Sequence, residues 1–120
     1  MFSGANVTVM VSTMDQALKF YVDALGLKLK SRYEDYFAEV EGPGIIIALH
    51  PASKNGPQPG KSESLSIGLG VDNIEKAMGS LKARGVQFSS DIVQDGGVKL
   101  AFFTDPDKNP LYLAETRGWS

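Results

Sequence analysis

Hydrophobic positions along the chain change period at regular intervals. In residues 6–11, Val7, Val9 and Val11 alternate with polar or mixed neighbours, which predicts a strand with β-branched residues on one face. Met14, Ala17, Leu18, Tyr21, Val22 and Leu25 then recur at helical spacing. Thr13 or Ser12 can cap this helix, Asp15 suits its amino end, and Gly26 follows its last apolar position. A helix over about 14–25 is predicted. Three strand-like stretches come next: 27–33, 36–41 after a Glu34-Asp35 turn, and 45–50 after Gly42-Pro43-Gly44.

Residues 51–63 contain three Pro and two Gly and no periodicity, so they read as a loop or linker. The order then repeats. Leu65, Ile67, Leu69 and Val71 alternate with Ser66, Gly68 and Gly70. Ile74, Ala77, Met78 and Leu81 form a helical stripe closed by Gly85. Strands are predicted at 86–93, 98–104 and 111–115, with turns at Asp95-Gly96-Gly97 and Asp105 to Pro110. The tail ends in Gly118-Trp119-Ser120.

Both halves therefore read β-α-β-β-β, an internal duplication that determines the architecture. Val11 aligns with Val71, Met14 with Ile74, Asp15 with Glu75 and Ala17 with Ala77. After a one-residue gap Gly26 aligns with Gly85, and at the ends His50 is set over Glu115. The expected fold is α+β, a single domain over 1–120 made of modules 1–50 and 64–120 with linker 51–63. Two such modules make a curved sheet with helices outside and a concave cleft inside. Strand parity sends Asn6, Thr8 and Met10 of the first strand to the cleft, and Ser66, Gly68 and Gly70 of the fifth. His50 shares a face with Ala48 and Ile46, and Glu115 shares one with Leu113 and Leu111. Inward parity in 27–41 and 86–104 stays open, because bulges are common there.

Composition narrows the chemistry. The 120 residues include one His and no Cys, so disulfides, thiolate metal sites and Cys nucleophiles are excluded. Twelve Lys and Arg against 14 Asp and Glu, interspersed, give a net charge of −2 without a basic stripe, which argues against nucleic acid. No apolar run approaches the roughly 20 residues of a membrane span. Residues Met1 to Asn6 lack the pattern of a secretory leader, so a soluble, cytoplasmic protein is expected.

Two stretches carry a family resemblance. Met14-Asp15-Gln16-Ala17-Leu18-Lys19-Phe20-Tyr21-Val22-Asp23-Ala24-Leu25-Gly26-Leu27 and Phe103-Thr104-Asp105-Pro106-Asp107-Lys108-Asn109-Pro110-Leu111-Tyr112-Leu113-Ala114-Glu115 resemble the first helix and final hairpin of the vicinal oxygen chelate superfamily, the glyoxalase/bleomycin resistance/dioxygenase family. Metal-dependent members place four ligands on the first and last strands of each half. Carried over, these positions are Asn6, His50, Ser66 and Glu115, of which only His50 and Glu115 are good donors. The resemblance implies a homodimer and a small organic ligand in a cleft lined by Asn6, Thr8, Met10, Ala48, Ser66, Gly68 and Leu113. It implies no cofactor, or at most a weakly held divalent metal on His50 and Glu115. Three functions stay open: a ligand-binding protein of the bleomycin-resistance type, a metal-dependent lyase, isomerase or dioxygenase of glyoxalase type, and metal-free acid–base catalysis by Glu115 and His50.

Overall fold

A computed structural model describes residues 1–115. The chain divides into two compact units, Met1–Lys61 and Ser62–Ser120. In the first, β1 (Val7–Val11) leads to α1 (Met14–Leu18), which continues without a break as a π-helix, Lys19–Ala24. β2 (Lys28–Tyr33), β3 (Phe37–Gly42) and β4 (Ile45–Pro51) follow. The sheet order is β1-β4-β3-β2, with β1 and β4 parallel and the other pairs antiparallel. In the second unit, β5 (Ile67–Gly70), α2 (Ile74–Ala83), β6 (Val93–Asp95), β7 (Val98–Thr104) and β8 (Pro110–Glu115) repeat the plan. Their order is β5-β8-β7-β6, again with the first pair parallel.

Alternation creates the core of each unit. Val9, Val11, Ala38, Val40, Ile47 and Leu49 are buried on one face of the first sheet, with Met14, Ala17 and Tyr21 of the helix also buried. Ile67, Ala101, Phe103, Leu111 and Leu113 do the same in the second, with Ile74, Met78 and Leu81 of α2. Burying a large aliphatic or aromatic side chain contributes about 1.5–3 kcal/mol, so these stripes hold helix to sheet.

The helix over 14–25 forms, but only its first turn is regular. Thr13 caps it, its hydroxyl accepting the Gln16 N–H at 3.4 Å. Beyond Leu18 the hydrogen bonds widen, and Leu25 N–H donates to Phe20 O at 2.9 Å. The one-residue gap between the halves explains this. Fifteen residues separate Val11 from Gly26 and fourteen separate Val71 from Gly85. The wider π turn houses the extra residue, and both helices end on glycines with positive φ, 79° and 93°.

The strand expected at 86–93 is a correction. Only Val93–Asp95 pairs as a strand, and Phe88 makes an isolated bridge to Phe103. Ser89 still reaches across, its N–H and hydroxyl both donating to Phe102 O, at 2.8 and 3.1 Å, whereas the Ser90 hydroxyl donates to the carbonyl of its own neighbour, Asp91. The other turns form as expected. Gly96-Gly97 joins β6 to β7, with Gly96 at φ 62°. Asp105, 4% exposed, organises the last turn: Oδ1 accepts from Asp107 N and Asn109 N, and Oδ2 from Asn109 Nδ2.

Candidate functional site

Each sheet has one face on its helix and one open face turned away from it. On the open face of the first unit, one row crosses all four strands. Thr8 pairs with Ala48, Ala48 with Glu39, and Glu39 with Ser31. In the next row Met10 pairs with His50. Thr8, Met10, Ala48 and His50 thus share one face, as strand parity requires. Exposure separates them: Thr8 and His50 are exposed, Met10 is half-buried and Ala48 is buried. Asn6 is exposed just before β1, its Oδ1 accepting the Thr8 hydroxyl at 3.3 Å.

His50 Nδ1 lies 2.9 Å from Pro51 O. A carbonyl can only accept, so Nδ1 carries the proton and, in the neutral ring, Nε2 keeps the lone pair. Glu39 was not foreseen. Its half-buried carboxylate accepts the Ser31 hydroxyl at 3.0 Å on the same face. The register shift between Leu29 and Ser31 is a bulge on β2, and it hides from simple alternation that Ser31 comes to lie opposite Glu39.

In the second unit the equivalent row runs Gly68, Tyr112, Phe102. Pairing, unlike pattern matching, shows which residues correspond. Thr8 matches Gly68, Ala48 matches Tyr112 and Glu39 matches Phe102. His50 therefore matches Ala114, one residue short of Glu115. That single step inverts the face. Glu115 and Leu113 lie on the helix side of β8. Leu113 is 2% exposed. The Glu115 Oε1 accepts the Ile74 N–H, the first of α2, at 2.9 Å, and its Oε2 stands 3.9 Å from Lys99 Nζ. It thus complements the amino end of α2, beside the Asn73 cap on Lys76 N. Ser66 is exposed just before β5. Gly68 lies directly under the Tyr112 ring.

On the helix side, Lys99 Nζ meets Glu75 Oε2 at 3.0 Å. Hydrogen bonding to Lys99 lowers the Glu75 pKa, and the same bond, together with the charges of Glu75 and Glu115, raises that of Lys99. In the first unit Arg32 bonds Asp15 at 2.8 Å and Asp35 at 2.9 Å, which raises its pKa and ties the β2–β3 turn to α1. Among the described residues, no group of three or more His, Asp or Glu side chains is placed to hold a metal ion. No helix among them is long and apolar enough to cross a membrane.

The glyoxalase/bleomycin resistance protein/dioxygenase superfamily model matches residues 5–113. The chain belongs to this superfamily. Its fold agrees: a solved superfamily member from Sphaerobacter thermophilus superposes with a TM-score of 0.78 at 28% identity, covering 97% of this chain and 98% of that one. YurT of Bacillus subtilis is 28% identical over 120 residues, 90% of this chain and 94% of YurT. The lactoylglutathione lyase of Schizosaccharomyces pombe is 30% identical over 129 residues, 82% of this chain. The match spans only 42% of the yeast enzyme. Superfamily membership therefore covers the α+β, two-module architecture of nearly the whole chain.

Proposed function

We propose that this superfamily member holds a small organic ligand against an open sheet face without dependence on a metal. The position of Glu115 carries the reading: its carboxylate is engaged by the Ile74 N–H at 2.9 Å. A catalytic zinc site usually has three protein ligands and a water. Asn6 and Ser66 offer only neutral oxygens, weak donors to transition metals. With Glu115 committed to α2, His50 alone of the four is a strong donor, and the set does not fit a metal. The polar contacts for a ligand are then Thr8, the Glu39–Ser31 pair and His50 Nε2, among apolar neighbours.

A second reading, a lyase or isomerase of glyoxalase type, draws on the likeness to the yeast lactoylglutathione lyase. Acid–base catalysis by Glu115 and His50 would require Glu115 to leave α2. Elemental analysis of protein purified without chelator or affinity tag separates these readings. Hemithioacetal and catechol turnover assays and a fragment screen by ligand-observed NMR complete the test. We expect no stoichiometric transition metal, no turnover, and saturable fragment binding that shifts open-face resonances. A stoichiometric transition metal, or turnover abolished by Glu115→Gln with binding intact, overturns the proposal. A homodimer belongs to the same reading and is checked by light scattering.

A further inference from the structure

The open face of the second unit differs in chemistry from that of the first. Phe102 is 40% exposed, although its neighbours Ala101 and Phe103 are 0% and 1% exposed on the other side of the same strand. Its ring centroid lies 6.1 Å from that of Tyr112, with the planes at 44°. Tyr112 lies directly against the sheet: a Cβ at position 68 would collide with its Cζ, hydroxyl and Cε2 atoms. The adjoining row is Gly70, Ala114, Leu100 and Val93. Neither row contains a charged side chain. Lys99 and Glu115 face α2, and Asp95 sits at the outer corner beside Val98.

We propose that Phe102 and Tyr112 form a stacking platform for a flat, uncharged ring system, and that Gly68 lets Tyr112 lie down to make it. The proposal rests on the ligand-binding reading and names the class of ligand. An uncharged partner follows from two rows that hold no charged side chain among the described residues. Two tilted rings present a face and an edge, both of which aromatic partners use. Size selects a small molecule over a protein. With strands about 4.8 Å apart, the row from Gly68 to Phe102 spans about 10 Å, and in the adjoining row Ala114 is fully buried. A patch of that size suits one or two fused rings and is far below the roughly 800 Å² per partner of a stable protein interface.

The test titrates the protein with 2-naphthol, with its saturated analogue decahydro-2-naphthol, and with naphthalene-2-sulfonate. Binding is followed by calorimetry and by protein NMR. We expect saturable binding of 2-naphthol on the second unit's open face, and both other probes to bind at least about 5-fold more weakly. Phe102→Leu and Tyr112→Ala each weaken 2-naphthol about 3–10-fold, while Tyr112→Phe retains it. Gly68→Ala, which must displace the ring, behaves like Tyr112→Ala. Phe102→Leu and Tyr112→Phe keep the packing volume, so the test does not depend on the more disruptive variants. Equal affinity for the flat and saturated probes overturns the platform, as does undiminished binding in Phe102→Leu. Fragments that bind open faces while 2-naphthol does not would overturn the platform and leave the ligand-binding reading standing. No open-face binding by any fragment overturns both. Self-association abolished by Phe102→Leu would assign the face to a second copy and overturn the proposal.

Discussion

Asp105 shows how much one buried carboxylate can organise. It accepts two backbone N–H groups and the Asn109 amide while its own N–H donates to Asn109 O at 3.0 Å. Hydrogen bonds to a charged group are each worth about 1.5–3 kcal/mol, and the donors left behind lose their partner. Asp105→Ala is therefore expected to cost about 2–4 kcal/mol, read from the urea midpoint at constant slope. Asp105→Asn keeps one acceptor oxygen but no charge, so it should lose most of the same stability; a nearly neutral Asp105→Asn would refute the charge-assisted account. The turn itself was legible, because Asp-Pro and Asn-Pro mark turns by their own chemistry. The role of Glu115 was not. A carboxylate at a strand end looks the same in sequence whether it faces a ligand or caps a helix 41 residues earlier.

At the level of elements, the Glu75–Lys99 pair joins the first turn of α2 to β7. Glu75 has a lowered pKa in the fold, so its contribution is present above the unfolded value and is lost as pH falls through the folded one. Lys99 has a raised pKa, so its share persists below the unfolded value and disappears only as pH rises through the folded one. The stability gap between the native chain and Lys99→Met should thus narrow as pH falls through and below the ordinary carboxylate range, and in high salt. A gap constant across that range would show that Lys99 acts through packing of its stem. Periodicity located both helices, and the one-residue gap between the halves was the visible trace of the π-helix. It did not reveal where the ladder lapses over 86–92, since the Ser90 hydroxyl bonds its own neighbour whatever the apolar pattern around it.

Across the whole molecule, the duplicated order and its α+β architecture were readable from the alternation of periods. The matching of residues at the last strands was not. A pattern of period two cannot distinguish offsets that differ by two, and an offset wrong by one exchanges the two faces. Pairing removes the ambiguity by setting Ala48 against Thr8 and Tyr112 against Gly68. Those same parallel pairs have a kinetic consequence. Val7 meets Ile47 and Ile67 meets Leu111, so each closes a loop of some forty residues, whereas the β2–β3 and β7–β8 pairs are local. Loop closure must precede the reward of contact, so each unit should assemble hairpin first, with β1 or β5 added after the rate-limiting barrier. Val9→Ala should then mainly speed unfolding, while Val40→Ala slows folding; a φ-value at Val9 equal to that at Val40 would refute this order, and a larger one would reverse it. Until its first strand docks, each unit exposes one side of its last strand as an unpaired edge, the stage at which a nascent chain is most open to wrong partners.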